Sequence, residues 1–91
     1  MINIEKDALN SAVRKWGSSI QADMLIEEMA ELTKEVCKYK RGRNNIAEIT
    51  EEIADVFIML EQAKIIFSIS DNEISDMVDM KMVRLKLMLM Q

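Results

Sequence analysis

Two stretches decide how this chain folds: residues 25–36, LIEEMAELTKEV, and residues 49–60, ITEEIADVFIML. In the first, Leu25, Met29, Leu32 and Val36 recur at steps of four, three and four, and Ile49, Ile53, Val56 and Leu60 repeat those steps in the second. A period near 3.6 residues brings such positions onto one face, so each stripe is the expected core face of an amphipathic helix. Between them Lys40-Arg41-Gly42-Arg43-Asn44-Asn45 is polar and short. A connection of that length makes the two helices antiparallel neighbours, with Val36 against Ile49, Leu32 against Ile53, Met29 against Val56 and Leu25 against Leu60.

Outward from this hairpin the rest of the chain also reads as helix. Proline is absent, and the two glycines, Gly17 and Gly42, stand where the helical pattern pauses. A first helix is expected from about Ile4 to Trp16, capped by Asn3 and stopped by Gly17. Ser18 or Ser19 then caps the second, which runs to about Tyr39. The third continues its stripe through Ala63 and Phe67 for roughly 24 residues. Ser70-Asp71-Asn72-Glu73 has the form of a capping box and opens a last helix through Met90. The expected fold is all-α, four helices in a single domain over residues 1–91, with no tandem repeat.

Composition removes whole classes of function. The chain has 91 residues, 31% charged and 49% hydrophobic, the balance of one soluble globular domain. It has no histidine, which excludes Ser-His-Asp and Cys-His catalysis, histidine-ligated zinc and Glu-x-x-His di-iron centres. One cysteine, Cys37, excludes an internal disulfide framework and is read as a small half-buried residue of a protein in a reducing compartment. A net charge of -4 has the wrong sign for a duplex-DNA binder, so no nucleic-acid partner is expected. The N-terminus lacks a basic segment followed by an apolar run, and no window reaches about 18 apolar residues, so no membrane partner is expected and the location read is cytoplasmic. A chain this short buries only about 60–65% of its unfolded surface. The third helix adds Phe57, Ile58, Met59, Ile65 and Ile66 beyond its stripe, and the last carries Met77, Met80, Met82, Leu85, Leu87, Met88, Leu89 and Met90. One hairpin partner cannot cover both sets. A homodimer or dimer of dimers with the third helix central is expected.

The carboxylates have a pattern of their own. Glu28, Glu31 and Glu35 form a stripe roughly 100° to one side of the apolar stripe, and Glu48, Glu52 and Asp55 are offset from theirs in the same sense. In an antiparallel pair equal offsets emerge on one side, which sets Glu28 level with Asp55, Glu31 with Glu52 and Glu35 with Glu48. Six carboxylates are thus expected along one groove. Like charges at such spacing repel by a few tenths of a kcal/mol per pair, and converging carboxylates either take up protons or collect cations. Oxygen donors without nitrogen or sulfur favour Mg²⁺, with Mn²⁺ as a possible substitute. The other reading of these glutamates is a solvated helix face.

With Glu28-x-x-Glu31, 20 intervening residues and Glu52-x-x-Asp55, the chain resembles the MazG-like nucleoside triphosphate pyrophosphohydrolases of the all-α NTP pyrophosphatase superfamily. The doubled acids Glu27-Glu28 and Glu51-Glu52, the run Glu28-Met29-Ala30-Glu31-Leu32, the run Ile53-Ala54-Asp55-Val56, and Trp16 followed by Gln21 and Leu25 are similar to that family's wording. The resemblance covers roughly Trp16 to Leu60 and is weaker in the last helix. It implies a MazG-like bundle that hydrolyses a canonical or modified (d)NTP, or phosphoribosyl-ATP, between its α- and β-phosphates, giving the monophosphate and pyrophosphate. It also implies Mg²⁺ as cofactor, a part in nucleotide-pool control, oligomers, and Glu28, Glu31, Glu52 and Asp55 as the metal-binding and catalytic residues. Divalent ions suit such chemistry because they neutralise charge on phosphate oxygens and lower the pKa of bound water.

Basic side chains would meet the outer phosphates. Lys34, Lys38, Lys40, Arg41 and Arg43 lie near the hairpin turn, and Lys81 and Arg84 resemble the family's basic last-helix positions. Lys34 and Lys38 are also three residues after Glu31 and Glu35, the spacing of a local ion pair. Trp16 is either a core anchor or a ring that stacks on a base. Met24 and Met59 continue the acidic groove and are either an apolar wall for base or sugar or ordinary core. The rival class is a non-catalytic helical oligomerisation or binding module with an acidic cation-binding face. A dinuclear redox bundle fits less well, since no nitrogen ligand exists.

Overall fold

The computed structural model describes residues 2–91. Four helices follow one another, α1 (Lys6–Trp16), α2 (Ser18–Lys40), α3 (Ile46–Ile66) and α4 (Asp71–Leu89), and the described residues include no strand. None of the helices described is long and apolar enough to cross a membrane.

Local chemistry sets the helix ends. α1 begins at Lys6 with Glu5 in the cap position, so Asn3 is not its cap; the Glu5 carbonyl already accepts the Leu9 N–H at 3.3 Å. Gly17, at φ 90° and ψ 151°, stops α1 and donates its N–H to the Val13 carbonyl at 2.8 Å. The same residue is the N-cap position of α2, so Ser18 and Ser19 lie inside that helix and neither caps it. A corner made by one residue in a region that L side chains rarely adopt requires glycine.

α2 and α3 close with one device. At the end of α2 the Arg43 N–H reaches the Lys38 carbonyl at 3.1 Å and the Gly42 N–H the Tyr39 carbonyl at 2.9 Å, with Gly42 at φ 96°. At the end of α3 the Ile69 N–H reaches Lys64 at 2.9 Å and the Ser68 N–H reaches Ile65 at 3.3 Å, with Ser68 at φ 55°. Both are Schellman turns, in which a left-handed residue lets two N–H groups double back onto the last carbonyls. α4 then opens on the expected capping box: the Ser70 hydroxyl accepts the Glu73 N–H at 3.1 Å, and the Glu73 carboxylate accepts the Ser70 N–H at 2.7 Å.

α2 and α3 make the principal helix contact, and α1 packs on both. Leu9 and Met59 are the buried apolar residues among those described, and Gln21, Glu35, Asn45 and Gln62 are buried beside them. The shielded positions are Gln21, Leu25, Glu28, Leu32 and Glu35 on α2, and Ile49, Glu52, Val56, Met59 and Gln62 on α3. That face is rotated roughly 60° from the expected apolar stripe toward the acidic one. In consequence each expected core pair is split. Leu25, Leu32, Ile49 and Val56 are half-buried, whereas Met29, Val36, Ile53 and Leu60, with Phe67 further on, are exposed. Stabilised polar groups in the seam hold the helices at this rotation. The Asn45 side chain donates to the Glu35 carbonyl at 2.9 Å and to its carboxylate at 3.1 Å, and the Gln62 amide donates to the Leu9 carbonyl at 3.5 Å.

α4 attaches by its first turn. Asp71 receives the Lys64 ammonium at 2.6 Å and that of Lys6 at 3.4 Å, and Lys64 also meets Glu61 at 2.6 Å. No residue of α4 is buried. The radius of gyration is 15.8 Å, against about 12 Å for a compact chain of this length, and the outward reach of α4 fits the difference.

Ser68 holds a conformation that glycine adopts without strain. Ser68→Gly should therefore raise the unfolding free energy by about 0.5–1 kcal/mol, the steric relief being partly offset by the freer unfolded chain. Urea denaturation of both proteins checks it.

Candidate metal centre

Glu52 and Asp55 are one turn apart on α3, and Glu28 meets them from α2. One carboxylate oxygen from each of the three lies within 4.8 Å of the others, and all three residues are half-buried. Burial, followed by the charge of Asp55 and a hydrogen bond with it, raises the Glu28 carboxyl above its ordinary range. Burial is also the largest influence on Glu52, which is raised in the same direction, with Asp55 and Glu31 adding to it. Glu52 Oε2 is shut off from solvent and has no hydrogen-bond partner. Three carboxylates of like charge, with a buried unpartnered oxygen on one of them, fit a hard divalent cation, which would relieve the repulsion.

The structure brings together three of the four expected ligands. Glu31 stands outside the trio, with its carboxylate half exposed and 3.9 Å from the Lys34 ammonium. Its charge nevertheless bears on Glu28 and Glu52. The expected groove of six carboxylates is shorter than drawn, because Glu48 is exposed and Glu35 is bound elsewhere. Hydrogen bonds from Asn45, then from Lys38 at 3.2 Å, hold the Glu35 carboxyl below its ordinary range. Glu35 is a fastening for the turn between α2 and α3.

The expected substrate groups are dispersed. Lys38 is occupied by Glu35. Lys81 and Arg84 are exposed on α4, which makes no substantial packing contact with α2. Trp16 is 51% exposed, with the Lys15 ammonium 5.2 Å from its ring centre, so it is not a core anchor. Met59 is core, while Met24 is partly exposed and takes a 3.5 Å contact from the Gln21 amide. Cys37 is exposed, not half-buried. Gln21, Asn45 and Gln62 were not legible as seam residues; the heptad-like spacing of Gln21 with Leu25, Glu28, Leu32 and Glu35 is the signal that holds the first of them.

In comparisons with family models, curated proteins and solved structures, the chain matches none.

Raised carboxyls make the folded protein bind more protons than the unfolded chain above the ordinary glutamate value of about 4.5. Stability from these two groups is therefore greatest below that value and is lost as pH rises through the raised ones. In chelator at pH 7, Glu52→Gln should melt higher than the parent and show a flatter decline between pH 4.5 and 7. Added Mg²⁺ should stabilise the parent, by about 2.7 kcal/mol at 100 times its dissociation constant, and the variant much less. Circular dichroism melts in chelator and in Mg²⁺ measure both.

Proposed function

We propose that this chain is a Mg²⁺-dependent nucleotide pyrophosphohydrolase of the MazG-like kind, a homo-oligomer of the reducing cytoplasm acting in nucleotide-pool control. In this reading α2 and α3 form an antiparallel hairpin, in keeping with the short connection and with Asn45 fastened to Glu35. The observation that carries the reading is the convergence of Glu28, Glu52 and Asp55 from two helices on one half-buried point. The motif resemblance ExxE and ExxD supplies the reaction class.

Glu28, Glu52 and Asp55 would hold Mg²⁺, with Glu31 close enough to join through its charge. When bound there, the ion would neutralise charge on the triphosphate oxygens and lower the pKa of water. A water oxygen attacks the α-phosphorus, the bond from that phosphorus to the bridging oxygen breaks, and pyrophosphate leaves. A carboxylate beside the ion would orient the attacking water and take its proton. Substrate arrives as its magnesium complex, because the bare acidic site repels a free triphosphate. Lys81 and Arg84 are exposed on α4, and in this reading they would meet the outer phosphates only if a neighbouring subunit brought them to the site.

The exposure of Glu31 beside Lys34 favours a second reading, a non-catalytic association module whose acidic point binds a cation. One experiment separates them. A panel of nucleoside triphosphates is incubated with protein and Mg²⁺, and monophosphate and pyrophosphate are quantified. The enzyme reading expects release from at least one substrate and a loss of about 100-fold or more in Glu52→Gln. Equal release by both proteins removes the site assignment, and no release from any nucleotide leaves the binding module.

A further inference from the structure

The longest unpartnered surface of the molecule is α4. Ile74, Val78, Met82, Leu85 and Leu89 follow one another at steps of three or four along it, and all are at least 42% exposed. Ile74, Met77, Val78, Lys81 and Met82 line a shallow apolar groove along that face. A helix of 19 residues gains most of its stability from packing against something else, because isolated helices of similar length are marginal in water. Among the described residues, the rest of the chain meets only its beginning, at Asp71 and beside Ile74.

The charges of α4 say what packs along the remainder. Asp76 and Asp79 lie in its first half, beyond Asp71, which Lys64 and Lys6 already hold, and Glu73, which closes the capping box, whereas Lys81, Arg84 and Lys86 occupy its second half with no acid among them. A helix so divided complements a reversed copy of itself and repels a parallel one. We propose that α4 pairs antiparallel with α4 of a second copy, across a two-fold axis near Lys81 and Met82. This names the surface for the homo-oligomer suggested above and is independent of the hydrolase reading.

The pairing satisfies both patterns in one register. With the axis there, Ile74 faces Leu89 of the other copy, Val78 faces Leu85, and the acidic half lies along the basic half. Asp79 and Lys86 stand on one flank of the apolar stripe, about 100° and 80° from its centre. A two-fold perpendicular to the helix pair keeps each flank on its own side, so Asp79 of each copy meets Lys86 of the other at nearly the same level. Lys81 lies at the other edge of the stripe, about 60° from its centre, where its four-carbon stem can follow the seam while the ammonium stays in water. A parallel pair would leave Asp79 without Lys86 beside it.

Cross-linking reads the orientation directly. In a Cys37→Ser background, antiparallel pairing places the two copies of residue 82 close together and the two copies of residue 74 about 22 Å apart. Met82→Cys should be dimerised by a short bismaleimide, and Ile74→Cys should not. Asp79→Lys should raise the dissociation constant several-fold by sedimentation, and Asp79→Lys combined with Lys86→Asp should restore it, circular dichroism confirming equal helix content. Efficient linking of Ile74→Cys, or failure of Met82→Cys to link in a protein that still sediments as an oligomer, overturns the α4 pairing and leaves the oligomer standing. A parent that sediments as a monomer overturns both.

Discussion

Everything in this structure turns on a seam between two helices that is part apolar and part charged. α2 and α3 do not meet on their most apolar faces. They meet on a face where Leu25, Leu32, Ile49 and Val56 alternate with Gln21, Glu28, Glu35, Glu52 and Gln62. Charged groups withdrawn from water destabilise unless something answers them. Asn45 and Lys38 answer the charge of Glu35 at that end of the seam, although Asn45 Oδ1 is itself buried without a hydrogen-bond partner. Among the described residues no basic side chain pairs with Glu28, Glu52 or Asp55, and the charges of Glu31, Glu51 and Glu35 add to the repulsion at Glu52. The two ends of one seam thus have opposite characters: a closed fastening beside the turn, and an open concentration of negative charge in the middle.

That choice of face has a consequence on the outside. Turning toward the acidic stripe leaves Met29, Val36, Ile53, Phe57 and Leu60 in solvent, a large apolar surface for so small a body. α4 carries the same condition further, as a helix with no buried residue, held at its root by Asp71 between Lys64 and Lys6. Contiguous apolar surface on this scale is uncommon on isolated small domains. Site and surface are then two aspects of one arrangement, since the rotation that gathers the carboxylates is the rotation that bares the apolar stripe.

How much of this was legible in the sequence differs by feature. The four helices were, because a 3.6-residue period and the breaks at Gly17 and Gly42 are properties of neighbouring residues. The capping box at Ser70 and Glu73 was too, since its partners are three residues apart. The caps assigned to Asn3 and Ser18 or Ser19 were not found there: several polar residues compete at a helix start, and the choice rests on where the preceding chain turns. Of the site, spacing put Glu28, Glu52 and Asp55 among six carboxylates along one groove and the motif resemblance put them among four ligands, whereas the outward turn of Glu31 toward Lys34 was not visible from an i,i+3 relation like that of Glu52 and Asp55.

The sequence by itself determined which segments are helical, where they end, and which acids lie within reach of one another. The tertiary structure alone decided how far each helix is turned about its axis, which carboxylates face inward, and that α4 stands away from the rest. The reason is physical. Helix formation and capping are settled by groups within about four residues, but rotation of a helix against its neighbour is a balance over every contact along the seam. In that balance a buried amide such as Asn45, ten residues from its partner Glu35, counts for as much as a leucine.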